Sequence, residues 1–128
     1  MNMKRKELGK RGELLAVQNL AAKGYQIKAR NWRTIEGELD IVAEQGDTIV
    51  FVEVKARTSN RYGSPEEAIT KKKRENLIKT ALAYLDANQI FESNWRFDLI
   101  TIEWSYQGEL LRIEHHLDVI QANPGEFL

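Results

Sequence analysis

Apolar side chains recur along the chain with two spacings, which predict a helix at the start and strands after it. Between residues 4 and 23 they return at the three- and four-residue intervals of a helix: Leu8, Leu14, Leu15, Val17, Leu20 and Ala21. Gly24 is placed to end that helix. Three strands are expected next, over Tyr25–Trp32, Glu38–Glu44 and Thr48–Arg57. Because the links between them are short, we expect an antiparallel meander.

The pattern of the second half predicts one more helix and two more strands. Ser64, Pro65 and Glu67 form a capping box with proline at the first helical position, so a helix is expected from there to about Asn88. Its apolar face comprises Leu77, Ile78, Ala81, Leu82 and Leu85. Strands are expected over Trp95–Trp104, parallel to the third strand after the helical crossover, and over Glu109–His116. The expected class is α/β, in the order αβββαββ, with a mixed five-stranded sheet flanked by helices.

The composition changes this picture mainly by what it excludes. The 128 residues contain no cysteine, and the two histidines are neighbours, His115 and His116. Disulfides, thiol nucleophiles and thiolate zinc sites are therefore excluded, and a metal bound here would have oxygen ligands. The apolar runs are far shorter than the roughly 20 residues of a membrane helix. We expect a single domain over residues 1–128, no membrane association and a cytoplasmic location.

A net charge of zero conceals an uneven distribution of charge. Residues 1–85 hold 17 of the 19 Lys and Arg residues but 11 of the 19 Asp and Glu residues. Residues 86–128 are correspondingly acidic. An anionic partner would meet the first part of the chain, whereas the alternative is that these charges form solvated faces.

The third expected strand ends in two charged residues that share a face. Side chains alternate along a strand, so Glu53 and Lys55 lie on one face and Val50, Val52 and Val54 on the other. Such an apolar run is typical of a strand that is buried on both faces of a sheet. Glu53 and Lys55, at the end of such a buried strand, are therefore candidate functional residues.

The preceding strand brings further carboxylates toward the same place. By the same alternation Glu38 and Asp40 share a face, and Leu39 and Ile41 point to the opposite one. If the faces of the two strands coincide, carboxylates converge beside a lysine. An exposed aspartate with a cross-strand ion pair is the structural alternative.

Converging carboxylates raise one another's pKa unless a cation compensates their charge. A hard divalent ion suits them, because Mg²⁺ takes one or two carboxylates, keeps several waters and accepts phosphate oxygens. Asp40, Glu53 and the Val54 carbonyl are the candidate ligands, and ligand type leaves Mg²⁺ or Mn²⁺ open. Lys55 would either hold the scissile phosphate or orient and help deprotonate the attacking water. Glu13 lies on the inward face of the first helix. It either adds a further carboxylate to this site or lies at the edge of the buried helix face with its charge in solvent.

At these residues the chain resembles the PD-(D/E)XK nuclease superfamily, and within it the archaeal Holliday junction resolvases. The proline that gives the superfamily motif its first letter is absent here, because Leu39 precedes Asp40. More closely, the whole chain resembles the small YraN-like family of bacterial endonuclease-like proteins. The matching stretches cover residues 9 to about 100: Gly12-Glu13, Gly24-Tyr25, Asn31, Gly37 to Ile41, Phe51 to Lys55, Arg57, Tyr62-Gly63, Lys71 and Arg96 to Asp98.

The resemblance implies a restriction-endonuclease-like αβββαβ core and metal-dependent hydrolysis of DNA phosphodiester bonds. It implies Asp40 and Glu53 as ligands of Mg²⁺ or Mn²⁺, Lys55 as the catalytic lysine, and Glu13 as an outer or additional ligand. Resolvases act as dimers on branched DNA, because a symmetric dimer places two sites on a two-fold symmetric substrate. A homodimer is compatible with this resemblance.

Basic and aromatic residues that follow the third strand form the expected nucleic-acid surface: Arg57, Arg61, Tyr62, Lys71, Lys72, Lys73 and Arg74. The closeness of Arg57 and Arg61 to the proposed site favours phosphate binding over a solubilising role. Tyr62 is the aromatic residue expected to stack on bases. The sequence thus predicts a metal-dependent endonuclease acting on DNA, with branched or structured DNA as the candidate substrate. The alternative is a non-catalytic nucleic-acid-binding or adaptor protein that retains the nuclease fold.

Overall fold

The computed structural model describes residues 5–58 and 69–120, which form a five-stranded sheet with a helix on each face. The elements are α1 (Arg5–Ala22), β1 (Gln26–Arg33), β2 (Glu38–Gln45), β3 (Thr48–Arg57), α2 (Lys71–Ala87), β4 (Asn94–Trp104) and β5 (Leu110–His116). The strands lie side by side in chain order, with β3 and β4 parallel and the other neighbours antiparallel. The predicted α/β class, element order and mixed sheet are confirmed. Neither helix in these ranges is long and apolar enough to cross a membrane.

Helix α1 packs on the sheet through residues spaced four apart. The buried stripe comprises Leu8, Gly12, Ala16 and Leu20. Leu14 and Ala21, which the sequence pattern assigned to the apolar face, are exposed to solvent, Leu14 by 48%. That part of the prediction is wrong because it counted only the large apolar residues. The small residues Gly12 and Ala16 form the buried stripe and let the helix approach the sheet.

Gly12 is the point of closest approach between α1 and the sheet. A Cβ atom at this position would lie 3.2 Å from Ala56 Cβ and 3.3 Å from Ile102 Cδ1. A residue without a side chain is therefore required for the observed packing. This contact fixes the adjacent Glu13 beside the carboxyl end of β3.

Strand β3 is the centre of the core and is buried on both faces, as its apolar run predicts. Val50 and Val52 pack in the cluster under α1, whereas Ile49 and Phe51 pack in the cluster under α2. Phe51 lies among the rings of Tyr84, Trp95 and Phe97, with centroid separations of 5.2 to 6.0 Å. The end of β3 is thus held rigidly from both sides.

Helix α2 begins later than the sequence predicts. Thr70 has an extended backbone, with φ −69° and ψ 163°, and its hydroxyl accepts a hydrogen bond from the Lys73 N–H at 3.2 Å. Thr70 is therefore the N-cap, and one continuous helix from Ser64 to Asn88 is wrong. The capping-box residues 64–67 lie outside the described residues. The predicted apolar face is confirmed, since Leu77, Ile78, Ala81 and Leu85 are buried and Leu82 is partly buried.

Asp98 on β4 anchors a separate buried network on the α1 face. Its carboxylate accepts hydrogen bonds from Arg96 Nε at 3.0 Å and the Asp118 backbone N–H at 3.0 Å, and His115 Nε2 lies at 2.8 Å. Burial opposes its ionisation, but the bonds to His115 and Arg96 prevail and lower the pKa of Asp98. Asp98 thus caps a backbone group and ties β5 and the segment after it to the sheet.

The revised helix start can be tested by removing each candidate cap in turn. Thr70→Ala should lower the free energy of unfolding by about 1 kcal/mol, because the Lys73 N–H loses its acceptor. Urea unfolding of the purified variant measures this loss. Ser64→Ala is the matched control and should change stability by less than half as much. A larger loss for Ser64→Ala than for Thr70→Ala would contradict the assignment.

Candidate active site

The candidate site forms where the ladder between β2 and β3 stops. The last paired residues are Ile41 and Val52. Beyond them, the Asp40 N–H donates to Glu53 Oε2 at 3.3 Å, and the Val54 N–H donates to Asp40 Oδ2 at 2.9 Å. Each carboxylate thus accepts a hydrogen bond from the opposite strand, in place of a backbone carbonyl. The structure brings Asp40 and Glu53 together at the carboxyl end of β3.

The strand β2 does not alternate regularly next to the site. Leu39 packs in the cluster under α2, and Ile41, two residues on, packs in the cluster under α1. The prediction that they share a face is therefore wrong. On β1, Asn31 has a left-handed backbone with φ 51° at the position opposite Asp40. The two neighbouring strands are therefore irregular at the same place, next to the end of the ladder between β2 and β3.

Burial and proximity perturb both carboxyl groups. Burial and, to a lesser extent, the charge of Glu13 raise the pKa of Asp40 to about 6, against the Val54 hydrogen bond. Burial and, to a lesser extent, the charge of Asp40 raise the pKa of Glu53 to about 8. Glu53 is only 5% exposed. Both shifts favour the protonated forms of the pair when no cation is bound.

Two lysines lie at the carboxylates. Lys73, from the first turn of α2, places its ammonium 3.9 Å from Glu53 Oε1. Lys55 is half-buried and lines the same opening, but it has no hydrogen bond or ion pair to either carboxylate in the described part of the chain. The sequence assigned Lys73 to the nucleic-acid surface and missed its ion pair, because no local spacing relates residue 73 to residue 53.

The carboxylates open into a cavity of about 410 Å³ that also contains Glu13, Val54 and Lys55. Glu13 is half-buried and lines this cavity. An inward carboxylate and a glutamate at the rim of the helix face are both compatible with this position. The cavity has room for a hydrated ion together with a phosphate group.

The donor set fits a hard divalent cation in an open site. Asp40 and Glu53 are the residues that would hold it, and within residues 5–58 and 69–120 no group of three or more His, Asp or Glu side chains is placed to hold a metal ion. Two carboxylates are the usual protein contribution to a Mg²⁺ site that keeps waters and accepts substrate oxygens. The raised pKa values of both carboxyl groups also indicate that a bound cation would stabilise their ionised forms.

The expected nucleic-acid residues divide between described and undescribed parts of the chain. Arg57 is half-buried at the end of β3, and Lys71, Lys72, Lys73 and Arg74 form the first turn of α2. Arg61 and Tyr62 lie outside the described residues. The α2 cluster borders a second cavity of about 380 Å³ that reaches Glu53 and Glu38. The basic turn and the positive end of the α2 dipole thus face the carboxylates.

Comparison with known proteins places this architecture in a family. The model of the uncharacterised protein family UPF0102 matches residues 12–102. The chain belongs to UPF0102. The predicted resemblance to the YraN-like family, which is UPF0102, is confirmed.

Relatives in UPF0102 align over most of their length. The UPF0102 protein of Syntrophomonas wolfei subsp. wolfei is 53% identical over 97 residues, covering 76% of this chain and 84% of its own. That of Geobacter metallireducens is 46% identical over 115 residues, covering 90% and 93%. A solved structure of Pyrococcus furiosus SfsA in complex with Ca²⁺ is similar with a TM-score of 0.44 and 19% identity. That similarity covers 88% of this chain and 63% of SfsA, less than two thirds of its length.

The carboxylate pair predicts an unusual dependence of stability on pH. Because the folded pKa of Glu53 lies above its ordinary value, the folded state binds a proton more tightly than the unfolded chain. In EDTA, the free energy of unfolding should therefore fall as pH rises from about 5 to about 8. Glu53→Gln should remove most of this fall and be more stable than the wild type at pH 8, by on the order of a few kcal/mol.

Urea unfolding at pH 5 and pH 8 measures this dependence. Glu75→Gln is the matched control, because Glu75 is an exposed carboxylate of α2. The control should follow the wild type at both pH values. Parallel pH profiles for Glu53→Gln and the wild type would contradict the electrostatic description of the site.

Proposed function

We propose that this protein is a divalent-metal-dependent endonuclease that hydrolyses phosphodiester bonds in DNA, with branched or structured DNA as the substrate class. One observation carries the proposal: Asp40 and Glu53 each accept a backbone hydrogen bond from the other strand and converge, with raised pKa values, beside two lysines. A structural ion pair would not need two carboxylates held against one another. The UPF0102 family name leaves the activity open, so the chemistry of the site is what supports the proposal.

In this proposal Asp40 and Glu53 hold Mg²⁺ or Mn²⁺, with the Val54 carbonyl as a further candidate ligand. The bound ion would supply positive charge to a phosphate oxygen and lower the pKa of a bound water. Lys55 is the catalytic lysine and has two candidate tasks, which are to hold the scissile phosphate or to orient and help deprotonate the water. Glu13, half-buried in the same cavity, is the outer carboxylate.

The surroundings of the site support a polyanionic substrate. The first turn of α2 presents Lys71 and Lys72 to solvent, next to the cavity that reaches Glu53. Lysines placed in this way neutralise backbone phosphates without reading sequence. Arg57, Arg61, Tyr62 and Arg74 belong to the same proposed surface. A cytoplasmic location, a homodimer and a role on branched DNA belong to this proposal as well.

Metal binding is the first requirement of the proposal. Isothermal titration of Mn²⁺ and of Mg²⁺ should show saturable binding to the wild type that is lost in Asp40→Asn, because that substitution removes a charged ligand. Asp47→Asn is the control, since Asp47 is an exposed carboxylate in the turn between β2 and β3. Equal binding by the wild type and Asp40→Asn would place the metal elsewhere.

Cleavage of labelled linear, flapped and four-way DNA separates an enzyme from an adaptor. The wild type with Mn²⁺ should cut at least one substrate, and Asp40→Asn and Lys55→Ala should each lower the rate at least about 100-fold while DNA affinity changes little. Undiminished cleavage by Asp40→Asn would contradict the proposal. DNA binding without cleavage, destroyed by charge reversal at Lys72 and Lys73 and unaffected by Asp40→Asn, would favour the adaptor.

A further inference from the structure

A second basic surface, formed by α1 and β1 and not by α2, borders the site. Lys10 of α1 and Arg30, Asn31 and Arg33 of β1 line a groove of about 540 Å³. Its inner end is formed by Glu13 and Glu38. Because α1 and β1 are separate elements in the sequence, their cations come together only in the fold, and no run of basic residues along the chain points to Arg30 and Arg33.

The cations of this groove are available to a ligand. Lys10 and Arg30 are exposed, and neither has an ion pair or hydrogen bond within the described ranges. Arg33 uses its Nε to bind Glu38 Oε2 at 3.1 Å, which leaves the other donors of its guanidinium facing outward from a side chain that is 73% exposed. By contrast, Lys28 on the same strand is paired with Glu44, at 3.6 Å.

Asn31 gives the groove a second distinguishing feature. It is exposed and adopts a left-handed backbone within a strand, at the position opposite Asp40. Asparagine adopts this conformation more readily than most residues other than glycine, but it is uncommon inside a strand. Here the conformation coincides with the place where the groove meets the carboxylate pair.

The three openings of the site adjoin one another. The groove and the carboxylate cavity share Glu13, the groove and the α2 cavity share Glu38, and the carboxylate cavity and the α2 cavity share Glu53 and Lys73. The carboxylates therefore lie where the groove meets the basic turn of α2. A polynucleotide that crosses them would meet positive charge on both sides.

We propose that the groove formed by Lys10, Arg30, Asn31 and Arg33 is a second phosphate-binding surface, which holds the DNA on the side of the cleaved bond opposite α2. This inference rests on the proposed function. The substrate must then extend on both sides of the bond that is cut, so bonds within a strand are favoured over terminal ones. Asn31 contributes an uncharged donor to the phosphates at the junction with the site.

The test is the salt dependence of DNA binding, measured in EDTA by fluorescence anisotropy with a labelled four-way junction. The double variant Lys10→Gln/Arg30→Gln should bind about ten-fold more weakly, and the slope of log affinity against log salt should become shallower by about 2, one unit for each lost phosphate contact. Both side chains are exposed and have no partner among residues 5–58 and 69–120, so the melting temperature should stay unchanged.

Lys28→Gln is the matched control, because it removes one positive charge from β1 at an ammonium already paired with Glu44. Its slope should equal that of the wild type. Arg30→Lys keeps the charge and should retain the wild-type slope, which separates a loss of charge from a loss of structure.

The outcomes distinguish the inference from the function on which it rests. A wild-type slope in the double variant, together with a reduced slope in Lys72→Gln, would overturn the groove and leave the proposed function intact. Absence of DNA binding by the wild type would overturn both. A shallower slope in the Lys10→Gln/Arg30→Gln double variant, with the wild-type slope kept in Lys28→Gln, supports the second surface.

Discussion

The structure depends on two carboxylates that replace the last hydrogen bonds of a β ladder. Asp40 accepts from the Val54 N–H and Glu53 accepts from the Asp40 N–H, so the ends of β2 and β3 are joined by the two carboxylates of the candidate site. If either carboxylate moved away, a backbone N–H would lose its acceptor, and an unsatisfied N–H in a buried position lowers stability. The carboxylates are therefore fixed before any ligand arrives, as an efficient metal site requires.

Holding these charges together imposes an electrostatic cost that the surrounding elements offset only in part. The Lys73 ammonium lies 3.9 Å from Glu53, and Glu13 adds a negative charge that acts on Asp40. Proteins commonly retain such unfavourable arrangements where activity requires them, and compensate with stability elsewhere. Here the compensation comes from β3, which is buried on both faces, and from the close packing of α1 at Gly12.

Much of this architecture could be predicted from the sequence because it follows from local periodicity. The element order and the central strand β3 follow from an alternation of two or a repeat near 3.6. The opposite faces of Leu39 and Ile41 did not follow, because β2 departs from alternation between them, so the meeting of Asp40 with Glu53 rests on hydrogen bonds and not on alternation alone. The start of α2 was misplaced because two local caps compete in the sequence and the structure uses Thr70. The groove at Arg30 depends on contacts between distant segments, which no spacing encodes.

The central claim is that Asp40 and Glu53 form a divalent cation site, and diffraction tests it most directly. Crystals of the wild-type protein soaked in Mn²⁺ should give an anomalous difference peak between the two carboxylates. A crystal of Asp40→Asn treated in the same way should lack that peak, because one charged ligand is missing. The absence of a peak in the wild type, with the Lys73 ammonium ordered against Glu53 in the presence of Mn²⁺, would contradict the account.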